Sequence, residues 1–88
     1  MKIIKPMVFR SVADENMLVP VGESVKTYNG IFTLTKVGAD IWLAIERGLS
    51  KEEISKELAK KYDVEYAVAL SDVKEFIAKL KKFEIIAD

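Results

Sequence analysis

The chain contains neither cysteine nor histidine, so acid–base catalysis would have to use Asp, Glu, Lys or Tyr. Disulfides, thiolate nucleophiles, Cys/His zinc sites and imidazole bases are therefore excluded. The glycines are isolated, and neither G-x-x-x-x-G-K-[ST] nor G-x-G-x-x-G occurs, which argues against a site for nucleotide phosphates. The sequence thus removes many enzyme mechanisms and predicts that no cofactor is bound.

Three glutamates, Glu52, Glu53 and Glu57, are close enough in sequence to be considered as a catalytic pair. They alternate with lysines, which is the pattern of a solvated helix face. The metal-binding patterns D-x-[DN]-x-[DN]-G and H-E-x-x-H are both absent. We therefore predict that the protein is not an enzyme and holds no metal. An enzyme that uses Asp or Glu is the alternative, and it would have to show measurable turnover.

Lys79, Lys81 and Lys82 form the only local excess of positive charge. The chain has 14 basic and 14 acidic residues, so its net charge of zero gives no general attraction to nucleic acid. Lysines in a last helical turn complement the helix dipole. The predicted second helix also carries no Arg, Asn or Gln that could read base edges. Nucleic-acid binding by a winged helix is therefore an alternative prediction and not the main one.

The 88 residues are enough for one modest hydrophobic core, and we predict a single domain over residues 1–88. Hydrophobic residues make up 50% of the chain and charged residues 32%, which is the balance of a folded, soluble domain. No apolar run is long enough to cross a membrane, and the start lacks the apolar region of a secretory signal. The cytoplasm is the predicted compartment, and no membrane partner is expected.

The predicted secondary structure that positions these residues changes from strands to helices near residue 35. The first part of the chain is rich in β-branched residues and turn signals, which is typical of strands. It predicts a hairpin and a third strand: Met7 to Ala13, the run Met17 to Val21 after a turn at residues 14–16, and Ile31 to Leu34 after Asn29-Gly30.

The remainder of the chain carries apolar side chains at helical spacing and predicts three helices. Thr35 is the expected N-cap of the first, over about residues 36–47, and Gly48 stands where a left-handed residue would end it. Trp42 lies on the face of this helix that is predicted to enter the core.

Ser50 and Glu53 form a capping box that predicts the start of the second helix, which should end near Lys61. The third helix is predicted from an apolar stripe with spacings of three and four residues. The members of this stripe are Tyr66, Leu70, Val73, Phe76, Ile77 and Leu80.

The order βββααα predicts an α+β fold similar to a winged helix-turn-helix, in which a three-stranded antiparallel sheet is followed by three helices. Such a sheet leaves two edges, and an exposed edge accepts another strand. If the third helix lies beside the third strand, a peptide could pair with residues 30–34 and place alternate side chains against Val73, Phe76 and Leu80. Alternatively, the chain termini cover this edge, or a second copy pairs with it in a homodimer.

Several stretches of this sequence have a recognisable order. Leu18–Gly22, Tyr28–Thr35 and Gly38–Trp42 are followed by Ile54, Leu58, Tyr62, Asp72-Val73, Phe76 and Leu80. This ordered set resembles the PqqD family, the small proteins named after coenzyme PQQ synthesis protein D. The resemblance covers about residues 8–87.

The resemblance implies a non-catalytic module that recognises precursors of ribosomally synthesised, post-translationally modified peptides (RiPPs). Members hold the leader segment of a precursor peptide as an added strand between the third strand and the third helix. They present it to a modifying enzyme, often a radical SAM protein. A subunit that binds the enzyme but no leader is the remaining alternative.

The resemblance also implies which residues of this chain bind the leader. The strand side consists of Gly30, Ile31, Phe32, Thr33 and Leu34, and the helix side consists of Asp72, Val73, Phe76, Lys79 and Leu80. The chain departs from the family pattern at two places. Thr35-Lys36 replaces the usual Asn-Glu, and Phe83-Glu84 replaces the usual glycine after the third helix.

Overall fold

The computed structural model describes residues 1–88 and contains five strands and four helices. In chain order they are β1 (Lys2–Ile3), β2 (Met7–Val12), β3 (Glu15–Pro20), α1 (Ser24–Thr27), β4 (Phe32–Leu34), α2 (Lys36–Glu46), α3 (Lys51–Tyr62), α4 (Tyr66–Lys82) and β5 (Ile86–Ala87). An antiparallel sheet has the strand order β2-β3-β4, and β1 pairs separately with β5. The predicted α+β fold, a three-stranded sheet ahead of three long helices, is confirmed.

The hairpin between β2 and β3 turns earlier than predicted. Ala13 and Asp14 both have positive φ, at 50° and 65°, and Val12 pairs with Glu15. Two left-handed residues match the twist of the flanking strands, which makes this a tight two-residue turn. The prediction of a turn at residues 14–16 was wrong, because the turn begins at an alanine that gives no turn signal.

The helix starts follow from local capping, as the sequence indicates. The Thr35 hydroxyl accepts a hydrogen bond from the Gly38 N–H (3.0 Å) at the start of α2. At the start of α3, the Ser50 hydroxyl accepts from the Glu53 N–H (3.2 Å), and the Glu53 carboxylate accepts from the Ser50 N–H (2.9 Å). The predicted capping box is therefore present, and it fixes where α3 begins.

The end of α4 uses the same main-chain motif as the end of α2, but without a glycine. At α2, the Leu49 N–H donates to the Ala44 carbonyl, and Gly48 has a φ of 84°. At α4, the Ile85 N–H donates to the Leu80 carbonyl, and Glu84 has a φ of 60°. Glu84 thus adopts the left-handed conformation that commonly closes a helix and that glycine adopts most readily.

The hydrophobic core lies between the inner face of the sheet and helices α2, α3 and α4. Trp42 is fully buried there, which confirms its predicted place. Its buried neighbours in the core include Leu18, Ile41, Ile54, Val73, Ile77, Leu80, Ile85 and Ile86. Every long element contributes to this one cluster, so the sheet and the helices hold each other in place.

Two features of the structure were not predicted from the sequence. The segment Ser24–Thr27 forms the short helix α1, which was not predicted from the sequence. The chain ends also meet, because β1 pairs with β5 and the Ile4 N–H donates to the Ile85 carbonyl (2.9 Å). No helix combines the length and apolar character needed to cross a membrane.

Candidate functional site

The edge of β4 is not covered by any strand of the chain itself. β4 is the last strand of the sheet order β2-β3-β4. The chain termini pair with each other in the separate β1–β5 sheet and do not extend along β4. The alternative in which the termini cover this edge is therefore wrong.

The alternation of hydrogen bonds across the sheet shows which main-chain groups of β4 face outward. The Val21 N–H donates to the Pro6 carbonyl (3.2 Å) at the start of the β2–β3 ladder. Hydrogen-bonded and non-hydrogen-bonded pairs alternate in an antiparallel ladder, so Leu18 directs its main-chain groups toward β4. Leu18 pairs with Phe32, and Phe32 therefore faces β3. The next residue, Thr33, directs its N–H and C=O to the free edge.

Helix α4 lies opposite this edge and forms the second wall of a groove. Its central cleft has a volume of about 230 Å³ and is mainly apolar. The residues that line this central cleft are Leu18, Phe32, Thr33, Leu34, Thr35, Phe76, Lys79, Leu80, Phe83 and Ile85. Leu18 and Ile85 are fully buried, so they form the floor.

Two further clefts continue the groove in both directions. The Asp72 cleft, of about 350 Å³, shares Thr35, Phe76 and Lys79 with the central cleft. The Lys82 cleft, of about 470 Å³, shares Phe32 and Phe83 with it. Together the three clefts form one β4–α4 groove beside the unpaired main chain of β4.

Aromatic side chains join the two walls at the Lys82 end of the groove. The Phe32 ring packs edge-on against Tyr28 (5.4 Å between ring centroids) and against Phe83 (5.3 Å). The Tyr28 hydroxyl also donates a hydrogen bond to the Phe83 carbonyl oxygen. These contacts link the loop before β4 to the end of α4.

The sequence profile of a family described as Coenzyme PQQ synthesis protein D (PqqD) matches residues 15–86. The chain belongs to the PqqD family. A search of curated proteins finds no match.

One solved structure is similar to this PqqD-family chain over its whole length. It is that of TbiB1 in complex with the TbiA(beta) leader peptide. The two chains are 28% identical, the comparison covers 100% of each, and the TM-score is 0.78.

The structure brings nine of the ten residues suggested by the PqqD resemblance to the groove. On the strand side, these are Gly30, Ile31, Phe32, Thr33 and Leu34, of which the first two precede β4. On the helix side, they are Asp72, Phe76, Lys79 and Leu80. Val73 is the tenth residue, and it is fully buried in the core and lines none of the three clefts.

Val73 lies outside the groove because it is in the middle of a wide apolar stripe on α4, and only one border of that stripe meets the groove. Ala69, Val73 and Ile77 are buried in the core. Phe76 and Phe83 lie toward the groove border of the stripe, and Leu80 is both buried in the core and part of the cleft lining. The spacing of apolar residues predicts the helix but does not separate the middle of the stripe from this border, since a wide stripe includes both.

Sequence reasoning missed Tyr28 and Phe83 as parts of the site. Tyr28 stands in the stretch Tyr28–Thr35 that carries the PqqD resemblance, and Phe83 stands at one of the two departures from it, but neither signal assigns its residue to the groove. Burial raises the pKa of the Tyr28 hydroxyl above its ordinary value, and the nearby Glu84 carboxylate adds to this effect. Tyr28 therefore keeps its proton at neutral pH and remains a hydrogen-bond donor to Phe83.

The charges along the groove are of both signs. Asp72 and Glu75 lie with Lys79 in one outer cleft, and Lys82 lies with Glu84 in the other. Nowhere in the chain do three or more acidic side chains converge on a possible metal site. The groove therefore offers main-chain hydrogen bonds and an apolar cleft, with a mixed polar rim.

Proposed function

We propose that this chain binds the leader segment of a ribosomally made precursor peptide as an added strand along β4. The observation that carries the proposal is the outward-facing main chain of Thr33 beside the apolar central cleft. The similarity to TbiB1, solved with a leader peptide, supports it. Membership of the PqqD family supports it as well.

A leader strand can pair with the free edge of β4 in the antiparallel or the parallel direction. A peptide strand beside β4 receives hydrogen bonds from, and donates them to, the main chain of Thr33. Its side chains alternate, so every second one points into the β4–α4 groove and the others point away from it. Main-chain pairing tolerates many sequences, and the groove supplies the selectivity.

Leader binding raises the effective concentration of the precursor peptide at the modifying enzyme. A domain that holds both the leader and the modifying enzyme makes their encounter intramolecular. The proposed role is that of a non-catalytic scaffold, and the core part of the precursor is modified by the partner. The family resemblance extends the proposal to a radical SAM protein as that partner.

The test is an NMR titration of the isotope-labelled chain. The probe is the synthetic N-terminal half of a short peptide encoded next to the gene for this chain. We expect saturable amide shifts in residues 30–35 and 72–84 and small shifts in β2. Saturable shifts that avoid β4 and α4 would contradict strand addition along this groove.

Three controls separate the alternatives. Binding through apolar contacts and main-chain bonds should change little between 50 and 300 mM salt, whereas duplex DNA binding would weaken steeply. A subunit that recognises only the enzyme would retain a purified radical SAM partner but give no shifts with the leader. Sedimentation with and without the peptide tests a homodimer through β4, which the leader should dissociate.

A further inference from the structure

Aromatic side chains stand at both junctions between the central cleft and the outer clefts, and we call them the aromatic barriers. On one side the barrier is Phe76, which lines the central cleft and the Asp72 cleft together with Thr35 and Lys79. A Cβ atom built on Gly38 would lie 3.1 Å from Phe76 Cε1 and 3.5 Å from Cδ1. The Phe76 ring therefore lies close against the α2 backbone, and a methyl group at position 38 would also come within 3.2 Å of the Thr35 hydroxyl oxygen, so these neighbours would have to shift by a few tenths of an ångström.

On the other side the barrier is the pair Phe32 and Phe83. Their rings contact each other at 5.3 Å between centroids and 63° between planes. Tyr28 holds both members, because its ring packs on Phe32 and its hydroxyl donates to the Phe83 carbonyl. The barrier is thus a contact between the two walls of the groove.

The space between the barriers fits one side chain. Phe76 and Phe83 are about 10 Å apart along the α4 axis at 1.5 Å of rise per residue. Side chains on one face of a strand recur about every 6.6 Å, and each ring takes up part of the gap. The cleft volume of about 230 Å³ exceeds the ~150 Å³ that accommodates a benzene ring in an apolar protein cavity.

We infer that the groove selects leaders by a single large apolar side chain, aromatic or branched aliphatic, seated in the central cleft. This inference rests on the proposed function. The side chains two positions before and after this anchor pass beyond the aromatic barriers into the outer clefts, which have charged rims. Gly38 acts as a positioning residue, because it sets how far Phe76 stands from the central cleft and hence the size of the anchor.

The first experiment is an alanine scan of the leader probe defined above, with binding measured by calorimetry. Replacement of the anchor should lower the affinity about 10- to 100-fold, because a full apolar side chain returns to water. Replacement of any other apolar residue should lower it less than about 3-fold. Two positions of equal and large effect, two residues apart, would overturn the single-anchor inference.

The second experiment changes the size of the cleft at Gly38 and Phe76. In the Gly38→Ala variant, the new methyl group pushes the Phe76 ring toward the central cleft. Leaders with Trp or Phe at the anchor position should then lose about 10-fold more affinity than a leader with Val. Phe76→Leu should shift the preference in the opposite direction, toward Trp.

Tyr66→Leu is the matched control for Phe76→Leu, because Tyr66 is a half-exposed aromatic residue of α4 that lines none of the three clefts. It should leave the order of anchor preference unchanged. Thermal unfolding of each variant checks that the fold is retained. A uniform loss for all anchors in both groove variants would overturn the size-selection role of Gly38 and Phe76, while leader binding itself would stand. No binding of any leader to the natural chain would overturn the proposed function together with this inference.

Discussion

The sheet has two free edges, and they differ in what lies beside them. β2 is the longer edge strand and makes its main contacts with β3, and it lines none of the three groove clefts. β4 has only three residues, yet α4 stands opposite it and encloses an apolar cleft. Unpaired main-chain groups exist at both edges, so they alone do not make a recognition site. The helix wall adds the side-chain contacts by which one peptide can be distinguished from another.

A proline in each edge strand tests whether the two edges differ in leader binding. Thr33→Pro removes the outward N–H of β4 and puts a ring where the leader strand would pair. Because an edge N–H that faces outward is not needed for the sheet, the fold should survive. We expect leader affinity to fall about 100-fold, as measured by calorimetry, since hydrogen bonds and close strand contact are both lost.

Ser11→Pro is the matched variant at the other edge. The same alternation of hydrogen bonds directs the Ser11 N–H away from β3, so the substitution is equivalent in its effect on the sheet. It should change leader affinity less than 2-fold. If it weakened binding as much as Thr33→Pro in folded protein, the two edges would be equivalent and the groove would not be the site.

The wall can be tested separately from the edge. Phe83→Ala removes an aromatic side chain that is 48% exposed and closes one end of the central cleft. We expect leader affinity to fall about 10-fold, because half-buried aromatic side chains in a binding groove contribute strongly to the binding free energy. Val12→Ala truncates an apolar side chain on β2 that is 61% exposed and should have no measurable effect. Equal effects of the two changes in the same titration would contradict a role for the α4 wall.

The end of α4 forms part of this wall. Glu84 holds a left-handed backbone conformation there, which lowers the free energy of unfolding. Glu84→Gly should raise the free energy of unfolding by about 1 kcal/mol, because a glycine adopts positive φ without the penalty that a Cβ imposes. Asp63→Gly, at the equivalent end of α3, should gain less, since aspartate tolerates this conformation better. Urea unfolding checks both values. A destabilising Glu84→Gly would show that contacts of the Glu84 side chain outweigh the backbone term.

A hydrogen bond between α2 and α3 lies outside the groove and should have no effect on leader affinity. The Tyr62 hydroxyl donates a hydrogen bond to the Asp40 carboxylate, which raises the pKa of Tyr62 from 10.0 to about 12. A raised folded-state pKa contributes stability that is complete below pH 10 and is lost as the pH rises from 10 to about 12. Urea unfolding between pH 9 and 11.5 should therefore show a steeper loss for the natural chain than for Tyr62→Phe. Leader affinity at pH 7 should be equal in both, and parallel stability curves would refute the role of this hydrogen bond.

Most of the helical part could be predicted from the sequence because its signals are local. The Thr35 cap, the Ser50–Glu53 capping box and Gly48 each act within a few residues of the chain, and each boundary lies within one residue of its expected place. The hairpin turn was misplaced, since Ala13 enters the left-handed region without a glycine or asparagine to indicate it. The β1–β5 pair could not be predicted, because it depends on where the folded helices bring the two chain ends.

For the candidate site as well, some features follow from the sequence and others only from the tertiary structure. The sequence by itself determined that a strand ends at Leu34, that a long amphipathic helix follows later, and that no thiol or imidazole chemistry is present. Only the tertiary structure decided that Val73 faces the core while Phe83 meets Phe32 across the groove. The physical reason is that periodicity reports which residues are apolar, whereas the packing angle of α4 on the sheet decides which of them the core covers and which the groove exposes.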